Sequence, residues 1–422
     1  MTRLIDAALT VFAVVLAVPS FVLLVECVAA LLPARRRGGA AVGSATTPPR
    51  MNILVPAHDE EALIAETLAG LLQGFPDAAA IVVIADNCGD RTAAIARAQG
   101  ATVIERHDPE RRGKGYALEF GIEHLAKNPP EVVLIVDADC QVRPGSLQRL
   151  AETAASSGRP AQADYLMTPP RDGSAKSAVS ALAFLVKNRV RPRGLARLGL
   201  PCHLTGTGMA FPWQVLKAAP ATGSHLVEDM LMGIQLTEMG FAPLYCVDAE
   251  VTSLAPERDE ATRGQRRRWE HGHLSMLVRW APRLILRGLL QRRLHLLSMG
   301  LDLLIPPLAL FVTVLCAAVV LSSGWALLGG SPGPAATCAA SLGAVGAAVF
   351  LAWFRFGRHM LKAGQLLSIP VYVLWKIPVY FAWIARGRHG RWERTERGAG
   401  PPSATANEAP PAAGTERKTP SN

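Results

Sequence analysis

The sequence lacks two signals that would place it in common classes of protein. Its seven cysteines include no Cys-x-x-Cys pair and no matching histidine spacing, so a zinc site is not predicted. A cytoplasmic domain would keep these thiols reduced. The first apolar stretch has no basic block ahead of it and no small-residue cleavage site after it. We therefore interpret that stretch as a retained helix and not as a secretory signal peptide.

Hydrophobic residues make up 50% of the chain and the mean hydropathy is +0.22, with the excess at the two ends. A helix long enough to span a bilayer is predicted over residues 1–34. A membrane region is predicted over residues 281–386. Pro370, Lys376 and Pro378 interrupt its last segment, which is expected to lie in the interface or to form a third helix. Transmembrane helices are predicted over residues 294–321 and 335–354, and the interrupted last segment is 366–384.

Clusters of basic residues beside these segments predict the orientation of the chain. The positive-inside rule places such clusters, and with them the large middle region, in the cytoplasm. We expect a multi-pass protein of the inner (cytoplasmic) cell membrane. The net charge of +10 is explained more simply by binding to anionic lipid headgroups than by binding to nucleic acid, because the basic residues cluster beside the apolar segments. The clusters lie at 35–37, 279–293 and 355–362.

The sequence also predicts the structure or role of a linker, a tail, a basic stretch and one acid. Residues 35–50 form a basic linker, and residues 387–422, rich in Pro, Ala, Thr and Glu, are expected to be disordered. The basic stretch 187–197 fits either a membrane-surface segment that gathers lipid acceptors or a solvated loop. Asp302, an acid inside a predicted membrane segment, is expected to pair with a nearby arginine or to contact a sugar leaving the site.

The middle region, residues 51–280, alternates short apolar strands with helices. This alternation predicts an α/β domain with a Rossmann-like, mostly parallel sheet and helices on both faces. The predicted strands are 52–55, 81–85, 101–104 and 132–136.

Two carboxylates, those of Asp137 and Asp139, directly follow the last of these strands. The carboxyl end of a parallel strand faces the crevice where such sheets bind ligands. Two acids this close repel each other unless a cation lies between or beside them, and a hard divalent ion shared with substrate phosphates is the usual one. The alternative is an Asp-rich turn that only ends the strand.

Further candidate residues follow the earlier strands. The segment 55–61 fits a helix start capped by Asp59 as well as it fits a ligand-binding loop. Asp86 ends the second strand, where its carboxylate could accept hydrogen bonds from a base or a ribose. Lys114 lies between two glycines at a predicted helix N-terminus, and we interpret it as a phosphate contact because such N-termini bind anions.

Three motifs come later in the chain. Gly206, in Thr-Gly-Thr-Gly, would let a ligand approach the backbone closely, although a plain turn fits equally. Glu228 and Asp229 open a helix, where they either complement its dipole or supply a general base. The last motif combines an amide, a guanidinium and an indole within about one helical turn, which suits a diphosphate and a sugar ring: Gln265, Arg268 and Trp269.

The motifs occur in the order VPAHDEE, an Asp after the second strand, DAD, ED and QRRRW. In this order, and with this topology, the chain resembles the membrane-bound family 2 glycosyltransferases, which include cellulose, chitin and hyaluronan synthases and many bacterial exopolysaccharide enzymes. The resemblance covers residues 52–280. It implies a GT-A fold that binds a nucleotide-sugar over its strand ends, with Mg²⁺ or Mn²⁺ as cofactor.

The resemblance also implies roles for single residues. Asp137 and Asp139 would hold the metal on the diphosphate. Asp229 would be the catalytic base, although Val227 stands where the family usually has Thr. The residues assigned to the nucleotide-sugar are Pro56, Ala57, His58, Glu60, Asp86, Lys114, Asp137, Gln265 and Arg268, and those assigned to the acceptor are Gly206, Glu228 and Trp269.

The predicted function is an inverting transfer of a sugar from a UDP-linked donor to a cell-envelope polysaccharide. The alternative acceptor is a membrane lipid, polyprenyl-linked or a glycolipid, that receives one or a few sugars. The predicted spans are few for a polymer channel, so a polymer synthase would need a homo-oligomer or an export partner. A membrane-anchored nucleotidyltransferase has a similar sheet but leaves QRRRW beside the spans unexplained.

Overall fold

The computed structural model describes residues 2–33, 48–168, 174–220, 223, 227–254 and 259–376, without the side chains of residues 254–267. An eight-stranded sheet lies at the centre of the middle region. Its strands are β1 (Met51–Ala57), β2 (Ile81–Asp86), β3 (Thr102–Arg106), β4 (Val132–Ile135), β5 (Cys140–Val142), β6 (Ala161–Thr168), β7 (Met209–Pro212) and β8 (Leu244–Leu254).

The strand order is β3-β2-β1-β4-β7-β6-β8-β5, and the pairing within it is mixed. The four strands β1 to β4 pair in parallel, as the alternation predicted. β6 and β8 are also parallel, whereas β7 is antiparallel to both β4 and β6, and β5 is antiparallel to β8. The expectation of a mostly parallel sheet therefore fails beyond β4. The antiparallel pairs among the described strands all involve β5 or β7, which have three and four residues and are too short to show a period.

Helices flank the sheet on both faces and continue into the apolar ends of the chain. A π-helical turn at Val186–Val190 joins α6 to α7, and a 3₁₀ turn at Ala78–Ala80 precedes β2. The helices are α1 (Thr2–Leu31), α2 (Ile64–Gly74), α3 (Thr92–Ala98), α4 (Lys114–Leu125), α5 (Ser146–Ser157), α6 (Ala175–Leu185), α7 (Arg191–Leu198), α8 (Trp213–Ala218), α9 (Glu228–Glu238), α10 (Asp259–Leu290), α11 (Leu294–Leu303), α12 (Leu308–Leu327) and α13 (Gly333–Ala352).

Successive residues of the central strands enter two different cores. Ile53 and Val55 of β1 pack in a core with α2 and α5, whereas Leu54 packs on the opposite face with α4. Every residue of β2 and of β4 is buried, as expected for strands covered on both faces. This packing fixes the position of the strand ends, where the candidate site residues lie.

Three of the described helices are long and apolar enough to cross a membrane: α1, α12, and α13 with its π-helical extension to Gly357. The sequence predicted a single helix over 294–321. The structure instead has α11 and α12, separated by residues 304–307, because Pro306 and Pro307 lack the N–H groups that a continuing helix needs. Asp302 therefore lies in α11, outside the helices that are long enough to span.

The contacts of the three apolar helices show which of their ends lie beside the sheet domain. At one end of α1, Asp6 accepts hydrogen bonds from Trp325 Nε1 and Ser331 N, both at 2.8 Å. Near its other end, Glu26 accepts one from Arg191 Nε of the sheet domain at 3.0 Å. Gly357, at the end of the third helix, packs against Leu182 of α6. The basic cluster at 355–362 thus lies at the same end as the sheet domain.

Parts of the predicted flanking regions lie outside the described residues: most of the linker (34–47), the tail, and residues 377–384 of the last apolar segment. The described part of that segment begins with a 3₁₀ turn, Ala363–Ser368, and continues as a helix to Lys376. Lys376 Nζ donates a hydrogen bond to Glu270 Oε1 of α10 at 2.5 Å. Whether the segment crosses a membrane stays a prediction.

Candidate active site

The carboxyl ends of β1, β2 and β4 open into a cleft of about 350 Å³. Residues of α6, the π-helical turn, α9 and α10 line it together with these strand ends. The side chain of Gln265 lies outside the described residues. All the other predicted site residues line this cleft: Pro56, Ala57, His58, Glu60, Asp86, Lys114, Asp137, Asp139, Gly206, Glu228, Asp229, Arg268 and Trp269.

The ends of β1 and β2 hold each other in place through hydrogen bonds. His58 Nδ1 donates to the backbone carbonyl of Asp86 at 2.6 Å. The Asp86 carboxylate is buried, and its Oδ1 accepts from Arg106 Nη1 at 2.6 Å and from Asn87 Nδ2 at 3.0 Å. Arg106, which the sequence analysis did not single out, therefore fixes the orientation of the Asp86 carboxylate.

Lys114 is the first residue of α4, and its side chain lines the cleft. Its Nζ donates to Asp137 Oδ1 and, at 2.7 Å, to the backbone carbonyl of Gly206. Burial alone would lower the pKa of Lys114, but the carboxylates of Asp137, Glu228 and Asp229 raise it above its ordinary value. Lys114 is therefore a fixed positive charge at a helix N-terminus, an arrangement that binds anions.

Gly206 lies between this cation and the next acid. Its φ is +89°, a left-handed conformation that favours glycine. A Cβ atom at this position would lie 3.3 Å from Asp229 Oδ2 and 3.6 Å from Lys114 Nζ. Any side chain here would crowd both groups, which explains why the backbone alone fills this point of the cleft.

Asp137, Asp139 and Cys140 place one potential metal-ligand atom each within 4.8 Å of one another. Burial, reinforced by Asp139 and Asp137, raises the pKa of the Cys140 thiol well above its ordinary value, so the thiol is neutral. Both carboxylates are half-buried at the cleft and offer the oxygen ligands that Mg²⁺ and Mn²⁺ prefer. This donor set fits a divalent cation that keeps positions open for phosphate oxygens.

Glu228 and Asp229 begin α9 on the other side of the cleft. Burial raises the pKa of both, and their mutual repulsion raises that of Glu228 to about 7 against the opposing charge of Lys114. Asp229 Oδ1 accepts a hydrogen bond from the N–H of Met230 at 2.7 Å, which lowers the pKa of Asp229 in part. The two acids therefore complement the dipole of α9 and also have a raised affinity for a proton. The raised proton affinity is the property that suits a proton acceptor.

An aromatic wall continues the cleft beyond Asp229. The rings of Trp269 and Phe184 are 5.8 Å apart between centroids, and Phe184 meets Tyr165 edge to face at 5.4 Å. Such a row of rings suits the apolar face of a sugar. Trp269 was predicted, whereas Phe184 was not, because its position in α6 is typical of an ordinary core residue.

Lys187 is a second cleft residue that the sequence analysis did not place. The stretch 187–197 was expected on the membrane surface or in a solvated loop, and its helical, partly buried structure contradicts the solvated loop. Lys187 lines the cleft, and Arg191 is buried against Glu26 and Asp302. Burial and the Arg191 charge lower the pKa of Lys187, while Asp229 opposes that change. The expected pairing of Asp302 with an arginine is confirmed.

Three comparisons with known proteins bear on this site. The model of the glycosyltransferase-like family 2 matches residues 48–272. Uncharacterized protein MJ1222 of Methanocaldococcus jannaschii is 36% identical over 101 residues, 24% of this chain and 40% of that protein. Probable glycosyltransferase YdaM of Bacillus subtilis is 31% identical over 99 residues, 22% of this chain and 23% of that protein. The matched segment therefore spans less than half the length of either curated relative.

Among solved structures, mannosyltransferase PcManGT from Pyrobaculum calidifontis, in complex with GDP-Man and Mn²⁺, is similar with a TM-score of 0.52 at 19% identity. The similarity covers 89% of this chain and 99% of that one, and the fold they share is a mixed α/β fold of the GT-A kind. Because the family match covers more than half of the 422 residues, the chain belongs to the glycosyltransferase-like family 2.

Proposed function

We propose that this enzyme transfers a sugar from a nucleotide-sugar to an acceptor hydroxyl at the cytoplasmic membrane face, in one inverting, metal-dependent step. One observation carries the proposal: a single cleft holds an anion-binding lysine, a pair of strand-end carboxylates and a buried acid whose pKa is raised. These are the groups needed to bind a diphosphate, to hold a cation on it and to accept a proton.

The donor lies along the strand ends. Pro56, Ala57, His58 and Glu60 contact the nucleoside, and Asp86, oriented by Arg106, accepts hydrogen bonds from the base or ribose. Lys114, Arg268 and Gln265 then contact the diphosphate. The donor is a UDP- or GDP-sugar, since the solved relative binds GDP-Man and the sequence resemblance points to UDP.

The divalent cation is held by Asp137 and Asp139. When bound, Mg²⁺ or Mn²⁺ neutralises charge on the diphosphate. Mn²⁺ in the complex of PcManGT supports this assignment, as does the oxygen donor set of the two aspartates. Lys114, already beside Asp137, stabilises the same negative charge as it grows on the leaving group.

Asp229 is the general base of the transfer. The acceptor oxygen attacks the anomeric carbon, its proton moves to the Asp229 carboxylate, and the bond from the anomeric carbon to the phosphate oxygen breaks. The bonding electrons leave with the nucleoside diphosphate, and the anomeric configuration inverts. The raised pKa of Asp229 brings its basicity closer to working pH, where proton transfer is most effective.

The chain is divided as the sequence predicts, with a cytoplasmic glycosyltransferase domain over residues 51–280 between membrane-inserted ends. Three helices of sufficient length and apolarity support an inner-membrane location. The basic residues at 355–362, at the domain end of these helices, support a cytoplasmic domain.

The acceptor predicted from sequence is a polysaccharide, with a membrane lipid as the alternative. A second, apolar cavity joins the cleft at its acceptor side and favours the lipid. In this protein the acceptor-side residues Gly206, Glu228 and Trp269 would contact the acceptor head group.

The test is nucleoside diphosphate release by the full chain in phospholipid nanodiscs. UDP- and GDP-sugars are offered in turn with membrane lipid extract, and with Mg²⁺, Mn²⁺ or EDTA. We expect metal-dependent release from one donor. In Asp229→Asn the rate should fall about 10²- to 10⁴-fold, which is the usual contribution of a general base to the rate. Asp248→Asn, an exposed acid in β8, is the matched control and should match the wild type.

Two results would contradict the proposal. Metal-dependent consumption of a nucleoside triphosphate with release of pyrophosphate would identify a nucleotidyltransferase. Equal rates in Asp229→Asn and Asp248→Asn would remove Asp229 from the reaction.

A further inference from the structure

A second cavity of about 130 Å³ adjoins the cleft on the side away from the strand ends. The two share lining residues, so they lie directly against each other. The shared residues are Phe184, Lys187, Arg191, Trp269 and His273.

The second cavity is lined mainly by apolar side chains, and its polar lining includes Ser177 and the Glu270 carboxylate, which pairs with Lys376. The shared end carries Lys187 and Arg191. Beyond it, the walls are formed by the small residues Ser180 and Ala181 of α6 on one side and by Tyr372 on another. A narrow, largely hydrocarbon-lined space behind a charged entrance matches an amphiphile better than it matches a sugar chain.

The far end of the cavity reaches a helix that is long enough to cross a membrane. Pro306, Leu308 and Ala309 line it, and the last two form the first turn of α12. All three residues are only partly buried. The break at the two prolines, which ends α11, thus places the second cavity beside the base of the apolar helices.

Lys187 lies where the apolar cavity meets the cleft. Its Nζ forms no ion pair or hydrogen bond with any described residue, whereas Lys114, on the donor side, is bound to Asp137 and Gly206. Lys187 and Asp229, the proposed base, both line the cleft. A half-buried cation that forms no ion pair or hydrogen bond within the described part of the chain can bind an anionic group of a ligand.

We propose that the acceptor is a membrane lipid that enters from the bilayer beside α12, with its hydrocarbon chain in the second cavity and a phosphate group on Lys187. The head-group hydroxyl then lies between Trp269 and Asp229, where it loses its proton to Asp229 as described above. This inference rests on the proposed function and names its acceptor class.

The test separates the acceptor from the transfer itself. The full chain in nanodiscs is given the radiolabelled donor identified above and membrane lipid extract, and the label is partitioned between butanol and water. We expect the label in butanol. Ser180→Phe, which fills the cavity, should reduce the butanol-soluble label by at least about tenfold. Ser156→Phe, on the exposed side of α5, should leave it unchanged.

Lys187 is tested by the acceptor concentration that half-saturates transfer. Lys187→Gln should raise it about 10- to 100-fold because one charge-assisted hydrogen bond is lost. Lys187→Arg should restore most of the affinity. Equal losses in both variants would assign Lys187 a structural role and contradict its contact with a phosphate.

A direct binding measurement covers the case in which Ser180→Phe fails to fold. A photoactivatable hexadecyl phosphate carrying a diazirine at its chain end is used with the wild type, and the labelled peptides are mapped. Labelling of residues 177–187 and 305–309, competed by unmodified hexadecyl phosphate, supports the proposal; labelling elsewhere overturns it. Nucleotide release with only water-soluble label overturns the lipid acceptor and leaves the transferase function standing, whereas no release from any donor rejects that function.

Discussion

The two sides of the cleft are built in different ways. On the donor side, the polar groups extend from the ends of parallel strands and bind one another: His58 to Asp86, and Lys114 to Asp137. On the acceptor side, the lining comes from helices that contact the apolar ends of the chain. There, Arg191 is tied to Glu26 of α1 and to Asp302 of α11.

This difference teaches that the two substrates have different structural requirements. The donor site is fixed by the sheet, whose cores hold β1, β2 and β4 in register. The acceptor site depends on how α1, α11 and α12 are assembled against α6 and α7. A substitution in the donor site should therefore change donor and metal binding. A substitution in the acceptor site should change stability and acceptor binding.

The largest expected effect is on the donor side. Asp139→Asn replaces one of the two oxygen anions near the diphosphate site, so charge on the leaving group is less well stabilised. We expect kcat to fall at least ~100-fold. Titration calorimetry with Mn²⁺ should also show weakened binding in the absence of any substrate.

Asp248→Asn again serves as the control for Asp139→Asn. A full loss of activity with unaltered Mn²⁺ binding would contradict the assignment of Asp139 as a metal ligand and would make it a substrate contact.

The next effect is on the acceptor side and concerns stability. Arg191→Gln leaves Glu26 and Asp302 buried beside each other without their shared cation. Removing one partner of a buried ion pair costs about 3–5 kcal/mol. We expect the free energy of unfolding in detergent micelles to fall by that amount, measured by denaturant titration.

Arg149→Gln, on the exposed face of α5, is the matched control and should change the unfolding free energy by less than about 0.5 kcal/mol. If Arg191→Gln were equally mild, the helices α1 and α11 would not depend on this network, and the proposed contrast between the two sides would fail.

The same contrast explains what could be predicted from sequence. Strand ends can be predicted from sequence because an apolar run that stops at an acid, as at Asp86 and Asp137, is a local pattern. The donor-side residues and the existence of β1 to β4 therefore followed from short stretches of sequence.

The acceptor side could not be predicted in this way. Phe184 and Lys187 lie on helical segments whose inward face is decided by distant partners, so their local sequence suits a core or a surface equally. The basic stretch 187–197 suggested a membrane surface, but Arg191 is buried because Glu26 and Asp302, far apart in sequence, neutralise it. Pro306 and Pro307 were visible, and the end of α11 could have been predicted from them.

The smallest effect is a pH dependence at the boundary between the two sides. Burial and the charge of Asp229 raise the pKa of Glu228 to about 7, against 4.5 for a free side chain. The folded state therefore holds this proton more tightly than the unfolded state, and the unfolding free energy falls as the pH rises from about 4.5 to about 7. Glu228→Gln should remove this fall, which amounts to at most about 3 kcal/mol.

Denaturant titrations across that pH window measure the effect, with Glu152→Gln on the exposed face of α5 as the control. An unchanged pH slope in Glu228→Gln would mean that Glu228 is ionised at every pH of the window.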